Sequence, residues 1–381
     1  MQFLSRSSPW RQLFQDPAAI ANPQCMVLPA LQEVFADFPQ QLQADLIKPW
    51  QQRLVRCLQQ LDLPAWRISQ LISDHNDWLY RQALDLSLAE MRSHGWGEPP
   101  VSFCVLQLGS AARHESLLRP DQDNAMILAD YPDARHQEVD TWFQHLGEGF
   151  THRLDESGIP LCKGHVMARW PLWRKRLAEW KEQMRIWTAG RIVKRVQLSN
   201  ILLDFRPVYG EFALADDFRQ DVLALMPRAQ GFLHEMAELL NEIPVALDAF
   251  DRLVSDGEDA PHAHALNLKR YGLLPLQSAV RLLCLLQGGI PQVATRDRLL
   301  ALVATGQLTT ADARDLTCVL ESLQSSLLQA QMASLGSGRQ ADGWIDLELL
   351  SEREKVQLKA DLKLIRNFVR RVRKQLPALS S

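Results

Sequence analysis

Asp121 and Asp123, separated by one residue, follow a Gly-Ser pair and lead into an apolar run, and no other grouping in the chain is better suited to chemistry. The pattern reads Gly109-Ser110-Ala111-Ala112-Arg113-His114-Glu115, then Pro120-Asp121-Gln122-Asp123-Asn124, then Ala125-Met126-Ile127-Leu128. Alternate residues of a strand point to one side. A strand from Asp121 to Leu128, entered through Pro120, would present both carboxylates together. Ala125 and Ile127 would continue that face, and Met126 and Leu128 would pack on the other. Two hard oxygen ligands side by side suit Mg²⁺. Gly109 lets phosphate approach the backbone without a Cβ, Ser110 and the N–H groups of a following helix start can cradle the anion, and Arg113 can add a bidentate contact. Glu115 precedes the strand and reads as a partner that orients Arg113. Together these parts suit nucleotidyl transfer, in which two ions about 4 Å apart neutralise a triphosphate and bring a hydroxyl in line. Each piece alone also fits an ordinary turn, a helix cap or a solvated loop. Their combination favours the chemical reading.

A third carboxylate is expected from another strand, and Asn200-Ile201-Leu202-Leu203-Asp204-Phe205-Arg206 offers Asp204 inside an apolar stretch. A carboxylate in that setting is costly unless paired or metal-bound. A salt bridge to Arg206 on the same strand face is the competing structural role. With Asp121 and Asp123 present, metal coordination is the expectation.

The elements that must hold these residues follow from apolar spacing. Phe103 to Leu108 reads as a buried strand and Gly109-Ser110 as a tight turn. A helix is expected from Glu138 to Asp155. Residues 1–98 read as helical, with spacing near 3.6 over Leu31 to Phe35, Leu42 to Leu61 and Ser73 to Met91, and Pro99-Pro100 marks a boundary. A mixed segment over 99–212 carries the aspartates. Residues 213–381 read as a helical bundle, broken at Pro227, Pro244, Pro261, Gly288-Gly289 and Gly336-Ser337-Gly338. The fold class is therefore α+β, a small mixed sheet with helices, flanked by an N-terminal helical segment and a C-terminal bundle.

The sequence resembles the bacterial nucleotidyltransferases of the polymerase-β superfamily that are often fused to cyclic-nucleotide-binding and CBS domains. The resemblance rests on Ile72-Ser73-Asp74-His75-Asn76-Asp77, on Gly109-Ser110 with Arg113 and Glu115, and on Asp121 to Asn124. It continues through Gly158 to Ala168, which includes Cys162-Lys163-Gly164-His165, and through Asp204-Phe205-Arg206-Pro207-Val208-Tyr209-Gly210. In the helical remainder it runs through Leu268-Lys269-Arg270-Tyr271-Gly272, Ala279 to Leu282 and Thr295 to Leu299, and it covers roughly residues 65 to 375. Around Gly109 to Asp123 the chain is similar, more distantly, to the nitrogen-regulatory uridylyltransferases. Ala112 stands where the family commonly has a second glycine, and the segment ahead of the catalytic part is too short for the usual sensor modules. The resemblance implies a polymerase-β-like core and a substrate-binding helical domain in which Lys269, Arg281 and Arg298 contact phosphate or an acidic partner. For each of the three the plainer role is an ion pair between or within helices.

Composition narrows the classes. The 381 residues, 46% of them hydrophobic, suffice for two ordinary cores. No unbroken apolar stretch approaches the roughly 20 residues of a membrane span, and the N-terminus shows no signal peptide, so a cytoplasmic protein is expected. The six cysteines, Cys25, Cys57, Cys104, Cys162, Cys284 and Cys318, lack paired spacing and read as reduced core residues. Cys162 and His165 suggest a metal pair, but no second pair accompanies them, which favours a structural role. Trp170, Trp173, Trp180 and Trp187, at spacings of three and seven, are expected to pack one helix face. The last helix, Ser351 to Leu376, is rich in Lys and Arg toward its carboxyl end, where cations favour the dipole. The net charge of −3 argues against nucleic acid as partner.

The expected activity is transfer of a nucleoside monophosphate to an acceptor hydroxyl, with pyrophosphate release and two Mg²⁺ ions, Mn²⁺ being a substitute. The assigned residues are Asp121, Asp123 and Asp204 for metal, and Gly109, Ser110 and Arg113 for the triphosphate. The likeness to the uridylyltransferases implies a protein acceptor and a signalling role. The alternative is a catalytically silent nucleotide sensor or scaffold of the same fold.

Overall fold

The computed structural model describes residues 10–15, 28–118, 120–189, 200–255, 260–261 and 263–376. It confirms the α+β class. The chain divides into two compact units, residues 1–179 with 205–215, and residues 180–204 with 216–381. The N-terminal helices and the sheet thus share the first unit.

Among the described residues four helices precede the sheet: α1 (Arg11–Gln15), α2 (Pro29–Ala36), α3 (Ala44–Gln60) and α4 (Ala65–Ser93). Their core is aromatic. Phe14, Phe35, Phe38, Trp50 and Trp78 meet mostly edge to face, with Phe38 and Trp78 rings 4.7 Å apart, an arrangement that adds about 0.5–1.5 kcal/mol per pair beyond area burial. His75 of α4 sits among them, and burial pushes its pKa down to about 3, so the ring is neutral at physiological pH.

The sheet has four strands in the order β3-β2-β1-β4: β1 (Phe103–Leu108), β2 (Asn124–Leu128), β3 (Arg174–Arg176) and β4 (Phe205–Gly210). β1 pairs antiparallel with β2 and β4, and β3 runs parallel to β2. Both β1 and β2 are buried along their whole length, Gln107 and Asn124 being the polar members of otherwise apolar runs. α5 (Gly109–Ala112) follows β1 at once, so the expected tight turn is a helical turn. The expected helix over 138–155 is α6 (His136–Glu156), which packs on α4.

Three expectations about elements are corrected. β2 begins at Asn124, so Asp121 and Asp123 lie in the approach to the strand; only the Leu108 N–H to Asp123 carbonyl bond, 3.0 Å, extends the ladder back. Asp204 is not inside a strand. Residues 200–202 end a helix, 203–204 turn, and β4 starts at Phe205. The four tryptophans do not share a helix either, because Pro171 and β3 intervene before α7 (Leu177–Thr188). Trp173, Trp180 and Trp187 are nonetheless buried, whereas Trp170 is exposed.

The second unit holds α8 (Phe212–Leu225) from Asp216 onward, α9 (Gln230–Glu242), α10 (Leu274–Gln287), α11 (Thr295–Ala304), α12 (Thr310–Gly336) and α13 (Glu352–Lys374). A small antiparallel pair, β5 (Ala265–Asn267) and β6 (Trp344–Asp346), lies within it. Ser351 and Glu354 form a capping box at the start of α13. Several cations of α13 are matched by carboxylates: Lys363 and Arg366 by Asp251, Arg371 by Asp312, Arg373 by Glu238. No helix among the described residues is long and apolar enough to cross a membrane.

Candidate active site

Within Asp121-Gln122-Asp123-Asn124 the side chains divide by alternation. Gln122 and Asn124 turn inward and are fully buried, while Asp121 is exposed and Asp123 half-buried. Gln122 Nε2 donates to the carbonyls of Thr151 and Ile159, both at 2.8 Å, and its backbone N–H donates to Pro160. The Asn124 backbone N–H donates to Val166, its side-chain oxygen accepts from the Ala168 N–H at 2.8 Å, and its Nδ2 donates to the Tyr80 hydroxyl of α4 at 3.1 Å. Four of these hydrogen bonds, those to Ile159, Pro160, Val166 and Ala168, lay the segment 159–168 along the two aspartates.

That segment supplies the third group of the site. Asp121, Asp123 and Cys162 offer ligand atoms within 4.8 Å of one another. Burial, reinforced by the Asp123 charge, pushes the Cys162 thiol up to about 12. Burial above all, with the charges of Asp123, Asp121 and Asp77, also raises the Tyr80 phenol, which stays protonated. Two carboxylates gathered beside a buried thiol form a donor set that fits a divalent cation. His165 is exposed and faces the Trp170 ring.

The residues expected to bind the triphosphate lie on α5 and at its end. Gly109 has φ +58°, left-handed backbone that favours glycine, and a Cβ there would lie 3.7 Å from Asp123 Oδ2. The glycine therefore brings the start of the turn against the carboxylate. Ser110 is half-buried at the same turn. Arg113 is buried, and its Nε donates to Glu115 Oε2 at 2.9 Å, as expected of a carboxylate that orients it. His114 also has positive φ, +57°, and burial, with the charge of Arg206, pushes its pKa down to about 4.

A polar row crosses the sheet beneath these residues. Asn124, Gln107 and Arg206 are register partners on β2, β1 and β4. Arg206 donates to Gln107 at 2.7 Å and to both oxygens of Asp77 on α4 at 2.7 and 3.0 Å. The expected alternative, a pair between Arg206 and Asp204, does not form.

Asp204 is fully buried in the second unit between two arginines. Arg281 Nη1 lies 2.6 Å from Oδ2 and Arg298 Nη2 lies 2.7 Å from Oδ1. Arg281 also donates to Asn200 and Ser278, and Arg298 Nε donates to the Gln292 carbonyl at 2.9 Å. Arg281 and Arg298 are each 4% exposed and engaged in these ion pairs. Lys269, at a π-helical turn, is exposed.

Residues 50–191 match the family model described as "Putative nucleotidyltransferase DUF294". Residues 230–376 match the model described as "Putative nucleotidyltransferase substrate binding domain". No curated protein matches the chain.

Proposed function

The chain belongs to the nucleotidyltransferase family of these two models, and from that premise we propose that it moves a nucleoside monophosphate from a triphosphate to an acceptor hydroxyl, releasing pyrophosphate. The observation that carries the reading is the convergence of Asp121 and Asp123 beside the left-handed Gly109 turn. Carboxylate oxygens at this spacing hold a divalent cation, Mg²⁺ in the first instance with Mn²⁺ as substitute. When bound, such ions neutralise charge on the triphosphate and acidify an attacking hydroxyl. The chain's own residues do the rest. Gly109 and Ser110 present backbone N–H and hydroxyl donors to phosphate oxygens, and Arg113, held by Glu115, adds a fixed positive charge.

Asp204 is the third carboxylate in this reading, and for it to take part its pairs with Arg281 and Arg298 have to open. Lys269 is the exposed cation of the assigned three that remains suited to an acidic acceptor. A protein hydroxyl as acceptor, a uridylyl or adenylyl donor and a signalling role rest on likeness to the uridylyltransferases.

The second reading, a silent nucleotide sensor, is favoured by the arginine clamp on Asp204. One experiment separates them: incubation of the protein with each α-labelled triphosphate, Mg²⁺ and cell extract as acceptor source. Labelled acceptor that vanishes with Asp121→Asn and with Asp123→Asn supports transfer. Thermal stabilisation by a triphosphate without labelled product supports the sensor.

A further inference from the structure

The loop that carries Cys162 is bound to the catalytic aspartates more closely than a core thiol needs. Gln122 and Asn124 fix its two ends through hydrogen bonds to Ile159, Pro160, Val166 and Ala168. Between those anchors the chain reverses at Lys163 and Gly164, and His165 takes φ +58°. The reversal closes around the sulfur. Gly164 is close enough that a Cβ there would touch Sγ at 3.6 Å. The sulfur is only 7% exposed as a residue, yet its ligand atom and one oxygen from each of Asp121 and Asp123 lie within 4.8 Å of one another.

Sulfur in this setting has two features of a metal ligand. It lies within reach of two carboxylates, and the loop that carries it is fixed at both ends by the Gln122 and Asn124 amides, as outer hydrogen bonds fix metal-bound ligands. We propose that Cys162 is the third protein ligand of the cation held by Asp121 and Asp123, and that this position consequently prefers a softer ion, Co²⁺ or Zn²⁺ and less strongly Mn²⁺, to Mg²⁺. The inference rests on the proposed cation site and specifies its chemistry. Carboxylate oxygen alone suits Mg²⁺, whereas a thiolate adds affinity that follows the rising order from Mn²⁺ to Cu²⁺. In the binding step the Sγ–H proton passes to solvent and a sulfur–cation bond forms without change of oxidation state.

The test is spectroscopic and uses the full chain freed of metal by a chelator. Titration with Co²⁺ is expected to produce a sulfur-to-cobalt charge-transfer absorption in the near ultraviolet that saturates at one ion per chain. Cys162→Ser is expected to lose the absorption and to reduce the preference for Mn²⁺ over Mg²⁺ by about tenfold or more, the scale on which ligand changes act. Cys162→Asp restores a charged ligand and is expected to bind Mn²⁺ without the absorption, which separates ligation from folding. Wild-type protein that binds Co²⁺ with no sulfur band overturns the assignment while leaving the carboxylate site intact. A band that persists in Cys162→Ser also overturns it, because another cysteine is then the ligand. Failure of the wild type to bind any of these ions, unaltered by Asp121→Asn, removes the proposed cation site itself.

Discussion

Arg206 on β4 and Asp77 on α4, 129 positions apart, form a bidentate ion pair at 2.7 and 3.0 Å. Asp77 is 1% exposed, and Arg206 reaches it across the row shared with Gln107. The pair locks the edge strand of the sheet to the long helix that underlies the aspartates. Its geometry is the planar, two-pronged match that arginine and carboxylate make well.

This pair predicts an acid-sensitive fold. Burial alone would raise the Asp77 carboxyl, but the Arg206 charge and hydrogen bonds outweigh it and hold the group below its usual value. A depressed carboxyl contributes stability that is present above the unfolded pKa, about 3.9, and is lost as pH falls through the lower folded value. Thermal melts of wild type should therefore lose stability on acidification below about pH 4 more steeply than melts of Asp77→Asn. At neutral pH Asp77→Ala, which leaves Arg206 without its counter-charge, should cost about 3–5 kcal/mol. Equal acid dependence in both proteins would contradict the pairing.

Asp204 predicts a different kind of sensitivity. Arg281 and Arg298 flank it, and Arg219 has its guanidinium pushed down to about 10, first by burial and then by the Arg298 charge. Asp204→Ala leaves like charges facing one another in the interior and should cost about 3–5 kcal/mol in denaturant unfolding. Adding Arg281→Met and Arg298→Met should recover most of that loss, because a buried ion cluster can be replaced by apolar groups of similar size. Restored stability without restored transfer would assign Asp204 a chemical role beyond its pairs. Restored transfer would remove Asp204 from the catalytic set.

What the sequence could and could not convey divides along these lines. α6 and the buried strands β1 and β2 were legible because periodicity and apolar runs are local signals, set by each segment's own burial. The setting of Asp204 was not, because its partners Arg281 and Arg298 lie 77 and 94 positions onward and the run Ile201-Leu202-Leu203 fits a helix end as well as a strand. Arg206 likewise drew its carboxylate from α4 rather than from its neighbour two residues away. The tryptophan stripe misled because side-chain spacing carries no notice of the break at Pro171. Gln122 and Asn124 stood unremarked beside the aspartates, since a polar residue at a strand's approach gives no sign of being buried. Their amides are what bring Cys162 to the site, and only the structure's hydrogen bonds reveal it.

Two glycines should respond very differently to the same change. Gly210 closes β4 with φ +88°, and a Cβ there would lie 2.2 Å from the Phe103 carbonyl oxygen, which is backbone. Gly97 has φ +70° with nothing within 4 Å of the same position. Gly97→Ala should cost only the left-handed penalty, about 1–2 kcal/mol. Gly210→Ala adds a clash that must part β4 from β1, a further cost of about 1–3 kcal/mol or more. Melting temperatures of the two variants measure the difference, and a smaller loss for Gly210→Ala would contradict the pairing of Cys104 with Gly210.

Gln122 offers the most direct test of how the loop is held. Its Nε2 donates two bonds of 2.8 Å to the carbonyls of Thr151 and Ile159 from a fully buried position. Gln122→Leu removes both donors and leaves the carbonyls short of partners, a loss of about 1–3 kcal/mol in a buried setting. The loss should fall on the loop before it falls on the core, because α6 keeps its own ladder while 159–168 is tied down chiefly by these contacts and those of Asn124. Limited proteolysis should then cut near Lys163, which is exposed, at a protease concentration that leaves wild type whole. Gln122→Glu sharpens the argument, since a carboxylate facing two carbonyls is repelled by them while a protonated acid can still donate to one. Cleavage of Gln122→Glu should be faster at pH 8 than at pH 5, against a Gln122→Leu variant whose cleavage varies only with the protease. Divalent-cation affinity should fall in step with cleavage, because the same loop carries Cys162 toward Asp121 and Asp123. A loop that stays resistant in both variants would show that Asn124 alone suffices to hold it.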